Sequence, residues 1–572
     1  MPHRPTTKPA MHNLSPQNDI RNGPQGQAAH PEAIAHRERL ELNFYSVGDK
    51  AWCLVGNGLS NQTFVRGPEG IIAIDSGESV EEMEAALKLL REVTAEPIVA
   101  CIYSHFHYVN GTQAILNEGN HIEIYGHEGI AANLARFGGE VAPRSGRGLV
   151  QQFGTMLTND GADGLLHCGL GLFYRNPSHA PFTAGYLPAG VTFTDSMQTK
   201  IAGLDVLMNH APSDATDSIT IFFPELGLCV NNLVWPALFN VFAIRGEEYR
   251  DPRILLTGLD QIVDFEPQHL IGAHGPPLSG PNLDASVLNY RDSIQFLWDQ
   301  TVRQINKGAT LAEAAHAITL PDRFLEDDLT KEFYGVAEHH VRQIHGGLFG
   351  WFDEDESHLF PLSTVDRNDR LIEGFGGHAQ VEAKVTEAIE NDDLRWAVEL
   401  ATWLVRCSAT TQANRDTLAT CLRTIAQRTT AANIRNWCLT RALELEGTIN
   451  LDRHRTHRFS FAQVLADPAR SIATLRVILN PDAAVGIEDE IAWHFADGSR
   501  CGLRIRGQVA VPTDGAQANL ILTMSPETWA SILSGRLPFW DAVTEGIVSI
   551  SGADDRVRGF FAAFDLPGFA NR

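Results

Sequence analysis

One stretch, PIVACIYSHFHYVNG at 97–111, constrains this chain more than any other. Its first half, 98–103, is an apolar run rich in β-branched residues, closed by Pro97 before it and Ser104 after it. That pattern predicts a short buried strand. The second half places His105 and His107 two residues apart at the end of the strand. In extended chain, side chains i and i+2 point the same way, so both imidazoles can converge on one ion. Asn110-Gly111 turns the chain, and a helix is expected over 113–116 with Thr112 as its N-cap. A strand that ends in His-x-His above a turn is metal-site geometry. The bland alternative is chance, because 22 histidines in 572 residues yield several close pairs, His339-His340 among them.

A chain of 572 residues exceeds what one hydrophobic core serves, so about three domains are expected. Hydrophobic content of 44% with 20% charged residues fits a globular enzyme, and no apolar run reaches the ~18 residues of a membrane span. The first 38 residues are rich in Pro, Asn, Gln and His with no apolar core, and read as a disordered tail rather than a secretion signal. A net charge of −25 argues against nucleic acid or anionic membranes as partners. The eight cysteines are scattered, mostly in apolar runs and never as Cys-x-x-Cys, which points to reduced thiols and a cytoplasmic protein.

From position 40 onward the pattern is layered. Short β-type runs at 44–47, 51–55, 62–65 and 70–74 lead through Asp75-Ser76-Gly77 into an amphipathic helix at 80–94. The His-x-His strand follows, then a helix, a strand at 122–126 and a helix at 129–136. Segment 138–190 is Gly-, Pro- and aromatic-rich and is expected to be a long loop, a lid or pocket wall, carrying Arg144 and Arg147. Strands resume at 191–208, 218–223 and 228–230. The turn between 208 and 218 holds His210, Asp214 and Asp217, and the strand 270–273 ends in His274. Helices are expected at 290–308, 310–318, 331–344 and, as stacked hairpins, 380–446. Beyond 448 the pattern returns to mixed strands and helices.

The segments at 61–90, 228–251, 290–308 (YRDSIQFLWDQTVRQINKG) and 334–353 (YGVAEHHVRQIHGGLFGWFD) resemble the alkylsulfatase branch of the metallo-β-lactamase-fold superfamily. The resemblance implies an α+β multidomain chain. After the tail at 1–38 it places an αββα catalytic sandwich at 39–285, an all-helical dimerisation domain at 286–447 and a small αβ sterol-carrier-like domain at 448–572. It implies a homodimer, a small-molecule substrate with an apolar tail sheltered by the last domain, and Arg245 as a contact to sulfate.

The family carries H-x-H-x-D-H, whereas this chain reads His105-Phe106-His107-Tyr108-Val109-Asn110. By the same resemblance the first carboxylate ligand falls on Asp214, and Asn232 replaces the carboxylate that bridges two zincs. His105, His107 and Asp214 therefore keep one site, while only His274 survives of the other. Val109 cannot ligate, and amide oxygens bind transition metals weakly. One divalent ion is expected, zinc first and iron as the alternative, because two imidazoles and a carboxylate suit both hydrolytic Zn²⁺ and the Fe(II) facial triad. His210 or Asp217 could stand in for a missing ligand. Arg245, Arg144, Arg147 and Asn232 are the candidate substrate contacts, by the preference of guanidinium for tetrahedral oxyanions. Three readings stay open: an alkylsulfatase-like metal-dependent hydrolase, a mononuclear non-haem iron redox enzyme, and a binding protein without turnover.

Overall fold

The computed structural model describes residue 14 and residues 17–119, 121–137 and 139–569. It divides into two compact units, 1–136 with 148–450, and 137–147 with 451–572.

The expected tail is the first correction. Where described, it carries a ribbon, β1 (Arg21–Asn22) with β2 (Ala28–Ala29), and a helix, α1 (Pro31–Arg39). Burial explains the order: Ala29 and Ala33 pack with Leu166, and the His36 ring stacks on Phe333 while bonding the Gly169 carbonyl. Positions 1–13, 15 and 16 of the same expectation lie outside the described residues.

Two sheets follow. The first runs in chain order: β3 (Asn43–Val47), β4 (Ala51–Val55), β5 (Gln62–Gly67), β6 (Gly70–Ile74), β7 (Ile98–Ile102), β8 (Glu123–His127) and β9 (Val191–Phe193). The second holds β10 (Ser196–Ile201), β11 (Leu204–His210), β12 (Ile219–Phe223), β13 (Leu228–Asn231), β14 (His269–Gly272) and β15 (Leu278–Ser279). The period-2 alternation of β6 shows how they layer. Ile72 and Ile74 face a shared core with Val206, Met208, Ile221 and Val230 of the second sheet. Ile71 and Ala73 face the opposite way, against Met83, Ala86, Leu87 and Leu90 of α2 (Val80–Val93) and Ile115 of α3 (Thr112–Asn117). After α4 (Ile130–Phe137) and α5 (Ala142–Phe153), the outer face of the second sheet is covered in turn. There α6 (Pro252–Asp264) and α7 (Leu283–Ile305) bring Leu255, Leu259, Ile262, Tyr290 and Ile294 against Cys229 and Leu270. This is the expected αββα sandwich. The twelve-residue α5 corrects the reading of 138–190 as unbroken loop; Gly146 and Gly148 hid its periodicity.

Helical hairpins built from His378–Glu390, Leu394–Val405, Gln412–Arg428 and Ala432–Leu445 close one core around Leu400, Leu404, Leu422 and Leu439. The second unit is a five-stranded sheet ordered Val509–Thr513, Arg500–Arg506, Glu490–Phe495, Leu520–Met524 and Ser549–Ser551. Trp493, Trp529, Phe539, Phe560 and Phe561 fill its core. Among the described residues no helix is long and apolar enough to cross a membrane.

Candidate metal centre

Parallel pairing decides where the polar residues gather. Strands β6, β7 and β8 run parallel, as do β13 and β14, so Asp75, Ser104-His105, Asn232 and His274 all follow carboxyl ends of strands. In αβ sheets that edge is where ligands bind. The sheets are tied there by Ile219 N–H donating to the Ser104 carbonyl at 2.9 Å and Asn61 N–H to the Ala273 carbonyl at 2.8 Å.

His105, His107 and Asp214 offer ligand atoms that all lie within 4.8 Å of one another. The His107 Nδ1 stands 3.3 Å from Asp214 Oδ2, and His105 Nε2 stands 3.9 Å from Oδ1. His105 is fully buried, and burial lowers its pKa to about 3, so it is neutral. Its tautomer is set by a relay. Ser104 donates its N–H and Oγ–H to the two Asp75 oxygens, at 2.8 and 2.6 Å, so its Oγ accepts from His105 Nδ1 at 2.8 Å. The Nε2 lone pair is then open, buried and without a hydrogen-bond partner. That is the preparation a metal-ligating imidazole needs. Burial pushes Asp75 up to about 7, against its Ser104 bonds. Burial opposes charge at His107 too, but the Asp214 carboxylate outweighs it and raises the imidazole. Asp214 resists burial and is held well below the carboxylate range by His107, His105 and Arg250.

The other candidates divide. Asn232 is placed beside the cluster, yet its amide donates to Asp214 Oδ1 at 2.6 Å and Ser213 Oγ at 2.9 Å, while its carbonyl accepts from Trp235 Nε1 at 3.1 Å. Its amide thus holds the Asp214 carboxylate. His274 is buried, donating Nδ1–H to the Leu59 carbonyl at 3.0 Å with the Tyr108 hydroxyl 3.5 Å from Nε2. It is not part of the group whose ligand atoms lie within 4.8 Å of one another. The three-ligand group does not include His210 or Asp217. The His210 Nε2 bonds the Thr216 carbonyl and the ring stacks on His127, while Asp217 accepts from Asn133 at 2.6 Å. Arg245 is buried, over the Phe153 ring at 5.6 Å and ion-paired to Glu247, which also pairs with Arg250. Arg144 and Arg147 belong to the other compact unit, where Arg147 donates to the His454 carbonyl at 3.1 Å.

Sequence reasoning missed Asp75, Tyr108, Glu247 and Arg250. In the structure Asp75 directly follows a buried strand and sits at φ 59°, where few residues other than glycine sit, but the sequence around it reads as an ordinary turn.

Comparison with known proteins shows what the whole chain is similar to. The family model described as alkyl sulfatase dimerisation matches residues 310–448. A linear primary-alkylsulfatase of Pseudomonas sp. is 31% identical over 527 residues, 88% of this chain and 98% of the relative. An (R)-specific secondary-alkylsulfatase of Pseudomonas sp. is 25% identical over 93% of this chain and 82% of its own length. The solved structure of a stereoselective inverting sec-alkylsulfatase from Pseudomonas sp. superposes with a TM-score of 0.80 at 21% identity, covering 98% of this chain and 93% of that one.

Proposed function

The chain belongs to the alkylsulfatase family, and we propose that it hydrolyses a sulfate ester with an apolar tail, using one divalent ion held by His105, His107 and Asp214. The carrying observation is the His105 Nε2: a buried, neutral imidazole nitrogen without a partner, aimed at a carboxylate that also meets His107. A divalent ion in such a site lowers the pKa of bound water to about 7 and polarises an oxyanion. The chain's own residues do the rest. Asp75 and Ser104 hold His105 in its ligating tautomer, and Asn232 orients Asp214. Arg245, buried and paired with Glu247 beside Arg250, is the guanidinium assigned to the sulfate. One ion rather than two is supported by the apolar Val109 side chain and by the hydrogen-bonded pair Tyr108–His274.

The proposal includes a homodimer formed through the helical domain at 286–447, a catalytic domain at 39–285, and a sterol-carrier-like domain at 448–572 that receives the apolar tail. Its eight thiols are all free, seven of them buried, which supports a cytoplasmic setting. The same donor set favours a second reading, a mononuclear iron redox enzyme.

Metal analysis of untagged protein, beside His105→Ala/His107→Ala, separates them. About one equivalent of zinc, lost in the variant, together with turnover of alkyl sulfates is the expected result. Iron with oxygen uptake would move the assignment to the second reading, and no metal in either protein would overturn both.

A further inference from the structure

Outside the ligand cluster, one ion pair faces the site and has no task in the scheme above. Glu78 directly follows the β6 turn and is buried, with a side chain 9% exposed. Arg175 reaches it from the segment after α5 and is 41% exposed. Both Nε and Nη2 of Arg175 point at the same oxygen, Glu78 Oε2, each at 3.4 Å. A tight charge-assisted bond closes to about 2.7–2.9 Å, so this is a loose, one-oxygen pair with bonding capacity to spare.

The surroundings link this pair to the anion side of the site. The Arg175 guanidinium lies over the rings of Tyr174 at 5.5 Å and Phe182 at 5.6 Å. Tyr174 stacks on Phe153 at 4.9 Å, and Arg245 lies over that Phe153. Two stacked rings therefore run between the two guanidiniums. Burial raises the Glu78 carboxyl, and the charges that oppose the rise are Arg175, His107 and Arg245, which puts Glu78 within electrostatic reach of a ligand histidine and of both arginines. Phe182, whose ring covers Arg175, sits at φ 64°, a backbone region costly for a bulky residue and kept only where the surroundings impose it.

We infer that Arg175 is a second guanidinium for the anionic head group, with Glu78 as its resting counter-ion, which an incoming sulfate displaces. The inference rests on the sulfate-ester reading for the identity of the anion. An arginine offers planar, forked N–H groups matched to sulfate oxygens. A counter-ion held by one loose contact keeps that fork oriented in a partly closed site, and costs less to displace than a bidentate pair. The aromatic faces on either side confine the guanidinium, so less side-chain entropy is lost when it engages.

The test is calorimetric titration of the full-length, metal-analysed protein with inorganic sulfate and with sodium hexyl sulfate, beside hexyl sulfate kinetics. Arg175→Gln should weaken binding of both probes by about tenfold or more, the scale of one lost charged hydrogen bond. It should raise KM more than it lowers kcat and leave metal content unchanged. Glu78→Gln, which removes the competitor and keeps the shape, should act in the opposite direction and tighten binding severalfold. Opposite signs are the signature, because a merely structural ion pair weakens binding from either side or from neither. Unchanged sulfate affinity in Arg175→Gln, or weakened affinity in Glu78→Gln, overturns the inference. If the wild type binds both probes with these signs and turns over no sulfate ester, the hydrolase reading fails while the anion site stands.

Discussion

Ser104 shows how much one hydroxyl can decide at the scale of a residue. It bonds three polar partners in sequence, the two oxygens of Asp75 and the Nδ1 of His105. Its Oγ–H is spent on Asp75, so the oxygen can only accept from the imidazole, and the Nε2 is left open. Outer-shell bonds of this kind are typically worth 10–100-fold in metal affinity. Ser104→Ala is therefore expected to lower zinc affinity about tenfold, measured by competition with a chromogenic chelator, while the far-ultraviolet spectrum stays that of the wild type. An unchanged affinity would mean that the tautomer is set by something other than this relay. His105 and His107 were legible because His-x-His at the end of an apolar run has few other uses. Asp75 was not, since its contact with Ser104 spans 29 positions and the local text reads as an ordinary turn.

At the scale of an element, the turn expected at Asn110-Gly111 leads from β7 into α3, and Gly111 sits at φ −94° as the N-cap of that helix. What demands glycine is space: a Cβ there would meet the Ser76 carbonyl and come within 2.6 Å of the Met83 Cβ. Thr112, expected as the cap, instead lies inside the helix and shares hydrogen bonds with Ser76 and Tyr103. Gly111→Ala should push α3 away from α2 and the Ser76 turn. We expect a loss of about 2 kcal/mol or more in chemical unfolding, as for other overpacked buried positions. A variant within about 0.5 kcal/mol of wild type would show that the turn has room to relax. The α5 helix teaches the converse: its two glycines and one proline look like a loop, and its periodicity emerges only from the apolar side chains at Val150 and Phe153 that find a buried face.

The whole molecule carries an apolar surface that its own fold does not cover. Phe349, Trp351, Leu359, Phe360, Leu362 and Val365 are all exposed, Phe360 to 93%, and they lie in one stretch of the region matched by the dimerisation model. Apolar clusters of this kind mark interaction surfaces in monomer folds. Trp351→Asp/Phe360→Asp should convert a dimer to a monomer in sedimentation equilibrium, and a wild type that sediments as a monomer at micromolar concentration would remove the homodimer from the proposal.

The sequence by itself determined the layered architecture and the His-x-His position, because strand and helix periods and the residue types at strand ends are local properties of the chain, while the choice of Asp214 in its turn came from the family resemblance. Tertiary structure decided which of those residues meet. It set Tyr108 on His274, turned Asn232 toward Asp214, and brought Arg175 to Glu78 across 97 positions. Each of these is a contact between distant segments whose partner is chosen by packing geometry and burial, and the spacing of residues along a chain does not encode that choice.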